Sequence, residues 1–245
     1  MKTDSNTVLI TGGASGIGLA LVERFLRAGS RVIVCGRRGE RLRELSHTHR
    51  GVATRVCDVA SETERIALID WATSEFRALN VLVNNAGIQR YPTLTDAEDW
   101  AFTRNEIAIN LEAPIHLSRL ILPHLLRRPH GAIVNITSGL AFAPLAKAPI
   151  YSATKAALHS FTLSLRHQLI GSTVEVVEII PPAVDTDLGG PGLHTFGVPV
   201  GELVDAVLLR IDRGETEVGY DFAEKARGAS RADLDQIFAR MNQRR

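Results

Sequence analysis

The sequence predicts an α/β fold in which helices cover both faces of a parallel β-sheet. Short β-branched runs alternate along the chain with longer amphipathic segments, and this alternation is typical of such sheets. The run Val81-Leu82-Val83 is apolar at every position, as expected for a strand that is buried on both faces. The candidate strands are Val8–Thr11, Arg31–Cys35, Ala53–Cys57, Val81–Asn84, Ala132–Thr137, Val174–Ile180 and Glu217–Tyr220.

The segments between the strands carry apolar residues at three- and four-residue intervals, which predicts helices. A further helix is expected over residues 230–243, with Ser230 as its N-cap and Asp233 three residues later. Nothing in the sequence marks a domain boundary, so we expect residues 1–245 to form a single domain. The candidate helices are Ile17–Arg27, Glu40–His47, Glu62–Phe76, Trp100–Leu126, Ser152–Ile170 and Val200–Arg213.

Composition excludes several classes of protein. Apolar residues make up 45% and charged residues 22% of the 245 residues, which are ordinary globular values. The formal net charge of +1 gives no argument for a nucleic acid or an anionic membrane as partner. The start lacks the apolar stretch of a signal peptide, and no membrane span is predicted. Two cysteines do not form a disulfide framework, and no histidine has metal-ligand spacing. We expect a cytoplasmic protein without a metal.

The segment Tyr151-Ser152-Ala153-Thr154-Lys155 places a phenol and an amine four residues apart in a predicted helix. Side chains at that spacing lie on the same helix face. A cation beside a tyrosine favours the phenolate and lowers the phenol pKa from about 10, which suits Tyr151 to act as a general acid or base. The same spacing also occurs in surface helices where the pair has no chemical role, so the segment needs support from elsewhere.

A glycine-rich turn follows the first candidate strand and opens the first helix: Thr11-Gly12-Gly13-Ala14-Ser15-Gly16-Ile17-Gly18. Glycines let the backbone approach a pyrophosphate, and a helix N-terminus supplies free N–H groups and a favourable dipole. The spacing is not that of the G-x-G-x-x-G fingerprint, so the turn alone does not establish nucleotide binding. The residues expected to hold a dinucleotide here are Gly12, Ser15, Gly16, Ile17 and Gly18.

The end of the second strand, Val34-Cys35-Gly36-Arg37-Arg38, indicates which dinucleotide is bound. NAD sites normally place an acidic residue here for the adenosine ribose hydroxyls, and this chain has two arginines instead. Guanidinium groups suit a phosphate dianion. We therefore expect Arg37 and Arg38, helped by the Ser15 hydroxyl, to favour NADP(H) over NAD(H). The alternative is that both arginines belong to a solvated turn.

These motifs, in this order, together with Asn84-Asn85-Ala86-Gly87 and with Ser138 thirteen residues before Tyr151, closely resemble the short-chain dehydrogenase/reductase family over about residues 7–186. The resemblance implies a doubly wound, Rossmann-type, seven-stranded parallel sheet and a nicotinamide cofactor. It also implies cofactor-side positions, namely the adenine contacts Asp58 and Val59, and the segment Asn84, Ala86 and Gly87 that stabilises the central sheet beside the cofactor.

The resemblance further implies a catalytic tetrad. Asn110, within Ile109-Asn110-Leu111-Glu112-Ala113-Pro114, matches the family's asparagine and joins Ser138, Tyr151 and Lys155. In this scheme Tyr151 donates a proton to a carbonyl oxygen that Ser138 also holds, and Lys155 lowers the Tyr151 pKa. Tyr151 and Lys155 are also expected at the nicotinamide ribose, and Asn110 is expected to position a water that links Lys155 to solvent.

One segment departs from the family pattern. Where the family usually has Pro-Gly after the sixth strand, this chain reads Pro181-Pro182-Ala183-Val184-Asp185-Thr186. Proline fixes φ and lacks the N–H that glycine keeps, so the loop facing the nicotinamide is expected to have a different shape. Pro181, Val184 and Thr186 remain in register for cofactor contacts. The Pro-Pro form is similar to a subgroup named for D-alanine esterification of teichoic acids.

The sequence thus predicts an NADP(H)-dependent oxidoreductase that acts on a small carbonyl or alcohol substrate. The alternative from a different class is a catalytically silent NADP(H)-binding module that senses redox state. Residues 187–199 form a Gly- and Pro-rich segment that we expect to be the substrate loop. The side chains of this segment and of residues 139–150 are mostly small and apolar. A pocket of this composition suits a moderately hydrophobic carbonyl compound. By family resemblance the protein is expected to be a homodimer or homotetramer.

Overall fold

The computed structural model describes residues 1–95, 97 and 99–243. These residues form a parallel sheet of seven strands in the order β3-β2-β1-β4-β5-β6-β7, which confirms the predicted doubly wound fold. The strand order reverses between β1 and β4. The strands are β1 (Thr7–Thr11), β2 (Arg31–Gly36), β3 (Ala53–Val56), β4 (Val81–Asn84), β5 (Gly131–Ile136), β6 (Val174–Ile180) and β7 (Glu217–Gly219).

Helices connect the strands and cover both faces of the sheet. The longer predicted helices are present, with ends that differ by a few residues from the sequence-based bounds. The helices are α1 (Gly16–Arg27), α2 (Gly39–Thr48), α3 (Glu62–Glu75), α4 (Trp100–Ile107), α5 (Ala113–Leu125), α6 (Pro149–Gln168), α7 (Val200–Asp212), α8 (Phe222–Gly228) and α9 (Arg231–Met241).

Apolar side chains alternate between two cores, one on each face of the sheet. In β1, Val8 and Ile10 pack against α1 and α7, whereas Leu9 packs against α3 and α5. Because successive side chains of a strand point to opposite faces, a fully apolar strand contributes to both cores at once. The central strands β1, β4 and β5 are buried at every residue.

Two elements differ from the sequence-based prediction. The helix predicted over Trp100–Leu126 is widened between α4 and α5 into a π-helical turn, Ala108–Glu112. Pro114 follows this turn and lacks the N–H that would bond to the carbonyl of Asn110 in a regular α-helix, which accounts for the change in winding. The second difference is α8, whose seven residues are too short to show helical periodicity in the sequence.

Arg65 on α3 is the largest side chain buried below the surface, with 1% of the residue exposed. Its Nη1 donates to the carbonyl oxygens of Val59 and Ala60 at 2.7 and 3.2 Å, and its Nη2 donates to Glu112 Oε1 at 2.6 Å. Its Nε lies 3.0 Å from His116 Nδ1. Arg65 therefore ties the loop after β3 to the π-helical turn, and no sequence motif indicated this role.

The described ranges lack two features. In residues 1–95, 97 and 99–243, no helix has both the length and the apolar character needed to cross a membrane. In the same residues, no group of three or more His, Cys, Asp or Glu side chains is arranged to hold a metal ion.

Replacement of Arg65 by Met tests the tie between the loop and the π-helical turn. Arg65→Met leaves the carbonyl oxygens of Val59 and Ala60 buried without their donor, which is expected to lower the free energy of unfolding by roughly 1–3 kcal/mol. Urea denaturation followed by circular dichroism measures the change. Arg77→Met is the matched control, because Arg77 is exposed on the loop after α3. Equal stability of the two variants would contradict the assigned role.

Candidate active site

The predicted site residues gather at one edge of the sheet, where the strands end at their carboxyl termini. The glycine-rich turn follows β1, Asn84 ends β4, Ser138 follows β5 and Pro181 follows β6. In open α/β sheets ligands bind at this edge, beside the point where the strand order reverses. That point lies between β1 and β4 in this chain, so the turn and the Asn84 segment meet there.

The glycine-rich turn is shaped by close backbone contacts. Gly12 has a φ of +67° and Gly16 a φ of +55°, a conformation that favours glycine. A Cβ at Gly18 would lie 2.4 Å from the Gly12 carbonyl oxygen, so no larger residue fits without moving the backbone. Helix α1 begins at Gly16, and the Ser15 side chain makes no capping hydrogen bond to it. The turn therefore presents the start of a helix whose first N–H groups suit an anion.

Asn85 holds the turn in place, a role that the sequence-based interpretation missed. Its Nδ2 donates to the carbonyl oxygens of Thr11 and Gly12 at 2.9 and 3.2 Å, and its backbone N–H donates to Thr11 Oγ1 at 3.0 Å. The neighbouring Asn84 is buried and donates to Asn135 Oδ1 at 2.8 Å. The side chain of Asn84 thus lies inside the sheet layer and supports it, and Asn85 is the residue at the turn.

The segment Ala86–Gly87 lies against both parts of the site. A Cβ at Gly12 would lie 3.0 Å from the Ala86 Cα, and one at Gly87 would lie 3.8 Å from the Lys155 Nζ. This segment therefore lies between the glycine-rich turn and the Lys155 amine and is close to both.

At the adenosine end, the structure brings together two of the three residues predicted to bind a phosphate. Arg38 Nη2 donates to Ser15 Oγ at 2.9 Å, which places a guanidinium group beside the glycine-rich turn. Arg37 is exposed, and within the described residues it is not bonded to the turn. Asp58 Oδ1 accepts a hydrogen bond from the Ala60 N–H at 3.0 Å. The Val59 side chain is buried in the core.

Tyr151, Lys155 and Ser138 meet in one buried group. Helix α6 places Tyr151 and Lys155 one turn apart, and the Lys155 Nζ lies 5.6 Å from the centre of the Tyr151 ring. The same Nζ donates to the Ile136 carbonyl oxygen at 2.7 Å. The Ser138 side chain is buried just after the end of β5 and acts on the Tyr151 hydroxyl, whose pKa it lowers. The predicted proximity of a phenol, an amine and a hydroxyl is therefore present.

Burial moves the pKa values of the phenol and the amine in opposite directions. Desolvation raises the pKa of Tyr151 well above its usual value, and the nearby Ser138 hydroxyl only partly offsets this rise. Desolvation also lowers the pKa of Lys155 to about 8, against the opposing influence of Glu178. The predicted lowering of the Tyr151 pKa is not found in this arrangement, because the loss of water around the phenol is the largest influence on that pKa.

Asn110 joins this group through the π-helical turn. Its side chain is fully buried, with Oδ1 accepting from the Ile88 N–H at 2.9 Å and Nδ2 donating to the Ile88 carbonyl oxygen at 2.8 Å. A Cβ at Gly87 would lie 3.4 Å from Asn110 Oδ1. The amide thus fixes the segment that follows β4 beside Lys155. π-Helical turns are often found at functional sites.

The loop after β6 lies against both Gly139 and the glycine-rich turn. The carbonyl oxygen of Pro181 accepts from the Gly139 N–H at 2.9 Å. A Cβ at Gly16 would lie 3.3 Å from Thr186 Cγ2, which places Thr186 against the glycine-rich turn. Val184 pairs with Val198 in an isolated bridge. Residues 187–199 are therefore a loop whose two ends are fastened together at its base.

The substrate loop, residues 187–199, contacts a segment that the sequence-based prediction did not single out. The Tyr91 hydroxyl lies 3.4 Å from His194 Nε2, and Gly189 lies against the Tyr91 ring. Tyr91 and Glu106 both influence the Tyr151 hydroxyl electrostatically, so this contact lies near the phenol. Tyr91, together with His194 of the loop itself, thus supplies polar groups in a mostly apolar region.

The C-terminal tail packs on its own chain. Ser230 caps α9 as predicted, its Oγ accepting from the Asp233 N–H at 3.2 Å. At the other end of this helix Asn242 Oδ1 accepts from the Ala146 N–H at 2.6 Å, and its Nδ2 donates to the Pro144 carbonyl oxygen at 3.0 Å. The tail therefore contacts the loop that follows Ser138, the second of the two segments expected to shape the substrate pocket.

Comparison with known proteins agrees with this geometry. The sequence pattern of the short chain dehydrogenase family matches residues 6–193. The chain is 48% identical over 248 residues to the oxidoreductase DltE of Bacillus subtilis (strain 168), a match that covers 99% of this chain and 98% of that protein.

Solved structures extend this similarity. A short chain dehydrogenase from Burkholderia cenocepacia J2315 in complex with NADP is 27% identical, with a TM-score of 0.85 over 100% of both chains. A short-chain dehydrogenase from Sphingobium yanoikuyae in complex with NADPH is 28% identical, with a TM-score of 0.81 over 98% of this chain and 97% of that one.

The doubly wound sheet and the site at its carboxyl edge define a Rossmann-type oxidoreductase fold. The family match and the extent of the DltE similarity identify the chain as a member of the short-chain dehydrogenase family. The predicted resemblance to that family, and to the subgroup that includes DltE, is confirmed.

Replacement of Gly18 by Ala tests the geometry of the glycine-rich turn. A Cβ at this position would lie 2.4 Å from a backbone oxygen, so the turn must shift and its N–H groups lose their alignment. We expect Gly18→Ala to weaken NADPH binding by at least about tenfold, which corresponds to ~1.4 kcal/mol. Quenching or enhancement of NADPH fluorescence measures the affinity. Gly228→Ala is the control, because a Cβ at Gly228 meets nothing within 4 Å, and equal affinities would contradict the prediction.

Proposed function

We propose that this protein is an NADP(H)-dependent oxidoreductase that interconverts a carbonyl compound and the corresponding secondary alcohol. The observation that carries the proposal is the grouping of Ser138, Tyr151, Lys155 and Asn110 beside the glycine-rich turn, at the edge of the sheet where ligands bind. When bound, the nicotinamide supplies hydride to the carbonyl carbon or accepts it from the alcohol carbon. Proton transfer and orientation of the substrate oxygen are the roles of the protein side chains.

In the reducing direction Tyr151 gives its proton to the carbonyl oxygen as the carbon accepts hydride, so the product is a neutral alcohol. Because burial raises the pKa of Tyr151, the phenol stays protonated over the working pH range and is ready to act as an acid. Ser138 donates a hydrogen bond to the same oxygen and helps to orient it. The Lys155 ammonium group stabilises the phenolate that remains after proton transfer.

Asn110 acts one step away from this chemistry. Its two hydrogen bonds to Ile88 hold the backbone after β4, and the Gly87 position of that backbone lies close to the Lys155 Nζ. We propose that it positions Lys155 and the water that reaches it. A protein that only bound a dinucleotide would have no use for a buried phenol with a hydroxyl and an amine beside it, so this grouping favours the enzyme over the silent binding module.

The NADP(H) preference is supported by the contact between Arg38 and Ser15. A guanidinium and a hydroxyl 2.9 Å apart beside the turn suit a 2′-phosphate, which can accept hydrogen bonds from both. The two similar structures described above hold NADP and NADPH. Arg37, exposed at the next position, adds positive charge to the same end of the site.

The substrate that fits this site best is a small, moderately hydrophobic carbonyl compound. The substrate loop exposes Leu193 and Phe196, and the Tyr91–His194 contact supplies polar groups near Tyr151. The expected homodimer or homotetramer and the cytoplasmic location stay predictions.

The role of Tyr151 is tested by its replacement with Phe. Loss of the acid is expected to lower kcat by roughly 10²–10⁴-fold, while NADPH affinity stays within a factor of about two because the glycine-rich turn is untouched. Oxidation of NADPH over a panel of aldehydes, ketones and quinones measures turnover. Tyr220→Phe is the control, because the Tyr220 hydroxyl bonds to Glu202 on α7 and, in the described part of the chain, to none of the four grouped side chains. Full turnover by Tyr151→Phe would contradict the assignment, and NADPH binding without turnover by the wild-type chain would favour the silent module.

The cofactor preference is tested by Arg38→Met. Loss of a charge-assisted hydrogen bond to the 2′-phosphate is expected to cost about 1.5–3 kcal/mol, which weakens NADPH binding by at least about tenfold and leaves NADH binding nearly unchanged. Fluorescence titration with both nucleotides measures the ratio of affinities. Arg41→Met on α2 is the control, since Arg41 is exposed and, in the described chain, is not bonded to Ser15. An unchanged ratio in Arg38→Met would remove this residue from the specificity argument.

A further inference from the structure

A buried carboxylate and a half-buried imidazole lie behind the proposed active site, and the reaction described above does not use them directly. Glu178 lies in β6 with 0% of the residue exposed. Its carboxylate accepts from the Thr137 hydroxyl at 2.6 Å and contacts His159 Nδ1 through both oxygens, at 3.0 and 2.9 Å. An ionised carboxylate at such a depth is costly unless it is paired, and here it has a hydroxyl donor and an imidazole.

This pair lies close to Lys155 along two paths. On α6, His159 follows Lys155 by four residues, so the two side chains lie on the same helix face. On the sheet side, Lys155 Nζ bonds to the carbonyl oxygen of Ile136, and the next residue, Thr137, bonds to Glu178. The negative charge of Glu178 acts on Lys155 and opposes the loss of its proton.

We propose that Glu178 is a positioning residue that keeps Lys155 in its ammonium form, with Thr137 and His159 holding the Glu178 carboxylate in place. This inference rests on the proposed function, because it concerns the amine that stabilises the Tyr151 phenolate. A fully buried lysine tends to lose its proton as the surrounding water is removed. A carboxylate fixed on the neighbouring strand counters that tendency without contacting the substrate.

The surroundings of the pair explain how its charge is set. His159 is half-buried, it stacks edge-on against Phe142 with ring centres 4.6 Å apart, and its hydrogen bond to Glu178 raises its pKa. The Glu178 carboxylate therefore favours the charged form of the imidazole. The other titratable or charged groups that act on His159 or Tyr151 from the packed elements are Glu217, Arg166, Glu106 and Tyr91.

The decisive experiment measures the ionisation of Lys155 directly. The chain has four lysines, Lys2, Lys147, Lys155 and Lys225, so Cε resonances of ¹³C-lysine-labelled protein can be followed during a pH titration, with Lys155→Met to assign the signal. Glu178→Gln keeps the size of the side chain and removes its charge. The Lys155 pKa is then expected to fall by about 1 unit or more, the effect of losing an opposite charge at close range.

Two variants separate charge from structural damage. Glu178→Asp keeps the charge, so its Lys155 pKa is expected to stay closer to the wild-type value than that of Glu178→Gln. Glu217→Gln removes a carboxylate on β7 that acts on His159 and pairs with Arg166, and the Lys155 pKa is expected to stay unchanged. An unchanged Lys155 pKa in folded Glu178→Gln, or an equal fall in Glu217→Gln, would overturn the inference.

The wild-type protein provides a second measurement in case Glu178→Gln does not fold. In ¹³C-lysine-labelled wild-type protein, the Lys155 side chain is expected to be an ammonium group at pH 7, and a neutral amine at pH 7 would overturn the inference.

The pH dependence of turnover provides a further test of the inference. The alkaline limb of the kcat profile is expected to move to lower pH in Glu178→Gln by the same amount as the Lys155 pKa, and a limb that stays in place would refute the use of this charge in catalysis. Lack of any turnover by the wild-type chain would instead contradict the proposed function, and the NMR titration would still be readable.

Discussion

The site depends on one constraint, which is that a parallel sheet covered on both faces leaves only its strand ends available to a ligand. Because β1 and β4 are neighbours with crossovers on opposite sides, the loops that follow them open a crevice between them. Asn85 spans this crevice and bonds to the backbone of the glycine-rich turn. The position of the turn is thus set by β4 as much as by its own glycines, and the Tyr151–Lys155 helix packs against the same segment.

The buried polar groups around the crevice form a connected support. Asn84 bonds to Asn135, and Asn135 donates to Thr162 of α6 at 2.9 Å. Asn110 bonds to Ile88, and Arg65 links the π-helical turn to the loop after β3. Unpaired polar groups at this depth would destabilise the fold. These bonds fix the relative positions of β4, β5, α3, α6, the π-helical turn and the loop after β3. A catalytic site needs such fixed positions, and directional hydrogen bonds define them better than apolar contacts alone.

The sequence predicted the parts of the site that are coded locally. The glycine-rich turn and the Tyr151–Lys155 spacing each lie within a few residues, and the structure brings them to one edge. Partners that are distant in sequence were not predicted: Arg65 meets Glu112 across 47 positions, and Glu178 meets His159 across 19. The predicted direction of the Tyr151 pKa shift was also wrong. Burial raises this pKa, and the burial of a side chain depends on the whole fold, whereas the sequence showed only the neighbouring lysine. The π-helical turn was not predicted, because apolar periodicity does not distinguish α from π winding. Pro114, which cannot donate the hydrogen bond of a regular α-helix, was the residue that indicated it.

The opposite pKa shifts of Tyr151 and Lys155 describe one physical problem. Removing water disfavours the charged form of each group, so burial alone would leave a neutral phenol beside a neutral amine at alkaline pH. A neutral phenol suits an acid that must keep its proton until the substrate oxygen becomes basic. A neutral amine does not suit the same step, since it cannot stabilise the phenolate left behind. The two groups therefore need different surroundings. Ser138 supplies a hydroxyl near the Tyr151 phenol, and Glu178 supplies a carboxylate near the Lys155 amine. In the proposed reaction, burial then keeps the phenol protonated, and Glu178 on the strand behind the helix favours the charged form of Lys155.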